Sequence, residues 1–186
     1  MIARRLSILL HPFVMIGAMA GAVAGGRPPR AEGLHSLATV VVFTIAPLTI
    51  LMWRQVRLGR WETADASNRS ERPILYAAAG VAVVALLAYL LAMRPQSFMV
   101  RGVAATLGMM AVCAALTRWG KVSLHMAFAT LAAITLTVLQ SPVGYVLVLT
   151  LPALVWSRLT LQRHTWLEVA LGAIIGAATG VAIHYL

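Results

Sequence analysis

Ile74-Leu75-Tyr76-Ala77-Ala78-Ala79-Gly80-Val81-Ala82-Val83-Val84-Ala85-Leu86-Leu87-Ala88-Tyr89-Leu90-Leu91-Ala92-Met93 is a run of twenty residues without a charge or a proline. At 1.5 Å per residue, a helix of about 20 residues covers the roughly 30 Å hydrocarbon core of a bilayer. Arg72-Pro73 precedes the run and Arg94-Pro95 follows it, so a cation and a helix breaker mark both ends. Outward from it, similar apolar runs recur near Leu6–Gly25, Leu37–Val56, Phe98–Thr117, Ser123–Gln140, Pro142–Ser157 and Trp166–Leu186. Gly26-Arg27-Pro28-Pro29-Arg30 ends the first, and Ser141-Pro142 makes a tight break between two others. The pattern predicts an all-α, polytopic transmembrane helix bundle of six to seven spans, forming one integral membrane domain over residues 1–186.

Composition excludes the alternatives. The chain is 61% hydrophobic and 11% charged, with a mean hydropathy of +0.87. An ordinary soluble domain is roughly 45–50% apolar and about 25% charged, so the bilayer must solvate most of these side chains. A net charge of +10 would suggest nucleic acid in a soluble protein. In a membrane protein it reflects Lys and Arg collected in cytoplasmic loops, and no nucleic-acid partner is expected. The single Cys113 offers neither a disulfide nor a cysteine metal site. Met1-Ile2-Ala3-Arg4-Arg5 ahead of apolar residues resembles a signal peptide but, with further spans following, reads as a retained first helix.

Seven crossings place Met1 and the loops Arg57–Pro73, Arg118–Val122 and Arg158–Thr165 on one side. Arg4, Arg5, Arg54, Arg57, Arg60, Arg69, Arg72, Arg118, Lys121, Arg158 and Arg163 gather there, leaving Arg27, Arg30, Arg94 and Arg101 opposite. Eleven against four predicts that this side is cytoplasmic. Glu62, Asp65, Glu71 and Glu168 lie on it too. Polar chemistry therefore belongs to one membrane face. The spans carry no comparable mid-membrane charges, which counts against an ion or proton path.

Two glycine ladders, Gly17/Gly21/Gly25 and Gly172/Gly176/Gly180, put small residues on one helix face and permit close helix approach. They serve either as a homodimer seam or, more commonly in membrane bundles, as internal packing surfaces.

Three polar segments on the shared face carry the chemistry: 65–73, 121–125 and 157–168. In the third, His164 and Glu168 are four residues apart at the start of the last span and can touch on a helix. A carboxylate on one imidazole nitrogen fixes the tautomer and leaves the other nitrogen free as base or nucleophile, while Arg158 supplies a forked donor for an anion. In the second, Ser123 and His125 open a helix beside Lys121, where free N–H groups suit phosphate. In the first, Arg69 and Arg72 are three apart and can clasp one phosphate. Each segment also has a plainer reading: an interfacial His–Glu pair, a Ser123 N-cap, and arginines that only set topology.

Together the segments resemble the type 2 phosphatidic acid phosphatase superfamily, which comprises lipid phosphatases and soluble vanadium haloperoxidases. Ser157-Arg158, five residues, His164, three residues and Glu168 match its third motif, with Glu where the family has Asp. Arg72-Pro73 matches the end of the first motif, and Ser123-Leu124-His125 keeps the Ser and His of the second. Asp65 stands where the first motif has Lys, and Val122 and Leu124 replace a Pro and a Gly. With His11-Pro12 in the first span, the chain is similar to a compact bacterial branch of the superfamily, which implies the inner membrane.

The resemblance implies a lipid phosphatase that needs no metal and no cofactor. His164 is its expected nucleophile, Glu168 orients it, and His125 is the general acid. Arg72, Arg158, Arg69, Lys121 and Ser123 are the expected phosphate ligands. The substrate is a membrane lipid phosphate whose tails stay in the bilayer, such as phosphatidate, phosphatidylglycerophosphate or a polyprenyl phosphate or diphosphate. Three rivals are a small transporter or structural bundle, a prenyltransferase and an inactive lipid-phosphate binder. The first predicts that His164→Ala is harmless, and the second requires aspartate-rich magnesium motifs that the chain lacks.

Overall fold

The computed structural model describes residues 2–25, 30–63, 68–95 and 97–185, without the side chains of 23–25 and 30–33. Asp65 lies outside the described residues. Prolines set many of the helix boundaries. Helix α1 (Ile2–Leu9) breaks at His11, immediately before Pro12 opens α2 (Pro12–Gly25), because a residue preceding proline is pushed out of the α conformation. Helix α3 (Arg30–Val40) runs through a π-turn (Val41–Ile45) into α4 (Ala46–Arg57). Pro47 has no N–H for the α-ladder and its ring crowds the carbonyl four residues back, which accounts for the widened turn. A 3₁₀ turn (Arg69–Glu71) leads into α5 (Arg72–Met93), followed by α6 (Phe98–Leu116), α7 (Leu124–Val138), α8 (Pro142–Thr160) and α9 (Trp166–Tyr185).

Among the described residues there is no strand. Five helices among the described residues are long and apolar enough to cross a bilayer, or six when the pair α1–α2, bent by 43°, counts as one span. The chain is therefore an all-α integral membrane protein. Two runs differ from the simple reading. Leu6–Gly25 is not one continuous helix, and α7 has only 15 residues, about 22 Å at 1.5 Å each. Helix α7 is buried on nearly every side, and a core helix of a bundle has the same composition as a lipid-facing one, so hydropathy does not separate them.

Contacts group the chain into two units, Met1–Leu37 with Trp119–Leu186, and Ala38–Arg118. In the first, α7 is the central element, and α2, α8 and α9 all pack on it while α1 lies against α8. The ladder Gly172/Gly176/Gly180 is the α7–α9 seam. A β-carbon at Gly172 would stand 2.5 Å from the Ser123 carbonyl oxygen, one at Gly176 would press on the Ala127 carbonyl, and one at Gly180 would lie 3.1 Å from that of Leu131. These partners rise together along both helices, so α7 and α9 run parallel, with α8 antiparallel between them in the chain. The start of α7, the end of α8 and the start of α9 therefore share one end. Gly17 and Gly21 of the other ladder have nothing within 4 Å.

In the second unit α5 and α6 form a hairpin and α5 also meets α4 and the π-turn, where the Phe43 and Tyr89 rings lie 5.1 Å apart. Before α5, the buried Glu71 carboxylate accepts the Glu62 N–H at 3.0 Å and the Asn68 N–H at 3.3 Å. This ties the loop down and delivers Arg72, only 4% exposed, to the first turn of α5.

Candidate active site

The geometry at the polar end of the first unit starts from how α8 stops. Gln162 adopts φ 52°, and beyond it the Arg163 N–H reaches back to the Arg158 carbonyl at 3.2 Å while the Gln162 N–H bonds to Leu159 at 2.9 Å. This left-handed closure satisfies the last carbonyls of the helix and hands the chain over to His164. Helix α9 then opens with a capping box. The Glu168 N–H donates to Thr165 Oγ1 and the Thr165 N–H donates to Glu168 Oε2, both at 3.3 Å.

His164 lies 2.7 Å through Nδ1 from that same Glu168 Oε2, with side-chain exposures of 3% and 15%. An ionised carboxylate only accepts, so Nδ1–H donates, and in the neutral ring the lone pair is then on Nε2. The pair expected from the sequence is formed, though not on a shared helix face. His164 precedes the helix, and the capping carboxylate turns back to meet it.

Glu168 also links the second segment. Its backbone carbonyl accepts the Ser123 N–H at 3.1 Å, which fixes the start of α7 beside the start of α9. Ser123 stands at the N-cap position, yet its hydroxyl makes no capping bond. It is fully buried and its Oγ has no hydrogen-bond partner, so the plain N-cap reading fails for it. His125, in the first turn of α7, is 5% exposed. Lys121 Nζ donates to the Arg163 carbonyl at 3.5 Å.

Arg158 is 2% exposed and its Nη1 donates to Ser7 Oγ at 2.7 Å. Its neighbour Ser157 donates to the Ala3 carbonyl at 2.6 Å. Helix α1 is thus stitched to the end of α8. At the α1–α2 break the His11 ring meets the His125 ring edge to face, with centroids 5.1 Å apart and planes at 90°. His164, Glu168, Ser123, His125, Arg158 and Lys121 are brought to one end of one unit through this chain of contacts.

Arg72 and Arg69 belong to the other unit. Arg72 is buried there, and the Arg69 guanidinium donates to the Arg118 carbonyl, which occupies it in holding the end of α6. The contributions of Ser7 and His11 were not legible from the motif spacing. The signals for them were the His11-Pro12 pair inside an apolar run and Ser7 one turn before it. Among the described residues no three His, Cys, Asp or Glu side chains gather as a metal-binding group.

Fold and site together define an all-α membrane protein with a partly buried His–Glu pair and basic groups at one end of its first unit. Comparison with protein-family models, curated proteins and solved structures finds no match to the chain.

Proposed function

We propose that this chain is a metal-independent lipid phosphatase, akin to the type 2 phosphatidic acid phosphatases that its motif segments resemble. It hydrolyses a phosphate monoester or diphosphate of a membrane lipid through a phosphohistidine. The observation that carries the reading is the 2.7 Å His164–Glu168 contact at the end of the unit where Arg158, Ser123 and His125 are buried.

In this mechanism His164 Nε2 attacks phosphorus as the bond to the leaving oxygen breaks, and Glu168 balances the charge that develops on the imidazole. His125 gives its proton to the departing alkoxide or phosphate, a role worth about 10²–10⁴ in rate. Arg158, Lys121 and the Ser123 hydroxyl stabilise the three equatorial oxygens, where fixed donors act most strongly. Water then cleaves the nitrogen–phosphorus bond, releasing inorganic phosphate and restoring neutral His164. The proposed location is a bacterial inner membrane with the site on the cytoplasmic side, following the distribution of Arg and Lys among the loops.

The test is phosphate release by purified protein from phosphatidate, phosphatidylglycerophosphate and undecaprenyl phosphate and diphosphate in the presence of EDTA. Turnover that vanadate inhibits and His164→Ala abolishes is expected. Wild-type protein indistinguishable from His164→Ala on all of these lipids refutes the reading.

A further inference from the structure

The geometry points to His11 as a positioning residue for His125, making the α1–α2 break a fourth segment of the site beyond the three motif segments. The inference rests on the phosphatase reading and deepens it. A general acid must hold one nitrogen toward the leaving oxygen, and the ring torsion of a histidine has a broad minimum. Something other than rotamer preference has to fix it.

His11 is itself held by a hydrogen bond and by a second ring. Its Nδ1 accepts the Phe13 N–H at 3.3 Å, so in the neutral ring the proton sits on Nε2. Its ring also meets Phe13 edge to face at 4.7 Å, in addition to the contact with His125 at 5.1 Å. The backbone is held as well. Pro12 enforces the break, and the bonds Ser157 to Ala3 and Arg158 to Ser7 anchor the preceding helix to α8. The result is a wall against which the His125 ring stands perpendicular. Edge-to-face ring pairs of this kind attract one another beyond simple burial.

A purely structural role has a distinct signature, because His11 also serves as an N-cap acceptor for α2. His11→Asn keeps a good capping acceptor and removes the ring. His11→Phe keeps a ring and removes the acceptor. For a positioning residue, kcat falls about tenfold in His11→Asn, part of the 10²–10⁴ worth of a general acid, while KM stays within about twofold. His11→Phe restores kcat to within about threefold of wild type. For a mere cap the order reverses, with His11→Asn close to wild type and His11→Phe impaired, and that outcome overturns the inference.

Spectra of ¹⁵N-histidine-labelled protein, with His125→Gln for assignment, separate this failure from failure of the phosphatase reading. The His125 ring resonances are expected to shift in His11→Asn and to stay near their wild-type positions in His11→Phe. If no lipid phosphate is turned over by the wild type, the function falls and these spectra alone decide the positioning role. His125 resonances unchanged in His11→Asn overturn it.

Discussion

Glu168 does two jobs with one oxygen. Its Oε2 accepts the Thr165 N–H as half of a capping box and accepts His164 Nδ1–H, so truncation to Ala disturbs helix start and imidazole together. Glu168→Gln separates them, because Gln also closes a capping box but carries no charge to balance an imidazolium, and its NH2 can face Nδ1 and favour the other tautomer. The thermal midpoint is expected to move by no more than about 2–4 °C, equivalent to ~1 kcal/mol in a chain of this size. On the phosphatase reading kcat drops about 10²–10⁴-fold. A fully active Glu168→Gln reduces the pair to a helix cap. The pairing was readable from the four-residue spacing of His164 and Glu168. The route was not, since the spacing places both residues on one helix face, whereas His164 stays outside α9 and Gln162 takes a left-handed conformation to close α8. Ser123 shows the opposite case, a residue whose type and position say N-cap while burial gives its hydroxyl no backbone N–H to accept.

Between helices, the α7–α9 seam is set by backbone approach. Gly176→Leu drives a side chain into the Ala127 carbonyl, and overpacking of this kind costs about 1–3 kcal/mol or more, read as a fall in the thermal midpoint of purified protein. At Gly21 a β-carbon meets nothing within 4 Å beyond its own helix, so Gly21→Ala is expected to stay within about 0.5 kcal/mol of wild type, whereas Gly176→Ala already meets the Ala127 carbonyl. Equal effects at the two positions contradict this assignment of the seam. The ladders look alike in sequence, and only packing distinguishes them. Helix lengths were more legible. Ile74–Met93, Phe98–Thr117, Pro142–Ser157 and Trp166–Leu186 lie within a few residues of α5, α6, α8 and α9, because hydrocarbon thickness dictates where charges and prolines stand. The break at His11 escaped that logic, since the residues on both sides of it are apolar.

For the whole molecule, the orientation of α8 is the informative quantity. Its 19 residues extend about 28 Å, close to the hydrocarbon thickness, with Ser141 at one end and Thr160 at the polar end. In a cysteine-free background, Thr160→Cys is expected to react with an impermeant thiol reagent from the cytoplasmic side and Ser141→Cys from the opposite side. The reverse pattern turns the proposed site outward. Helix α7 stands in a different relation to the bilayer, being roughly 8 Å shorter than the ~30 Å hydrocarbon core and shielded by its neighbours. Lipid has little purchase on it. A change in membrane thickness is therefore met first by α8 and α9, whose lengths match the hydrocarbon core. Arg158 and Glu168 lie on the two bilayer-length helices and His125 on the short one, so the surrounding lipids reach His125 only through the helices packed around it.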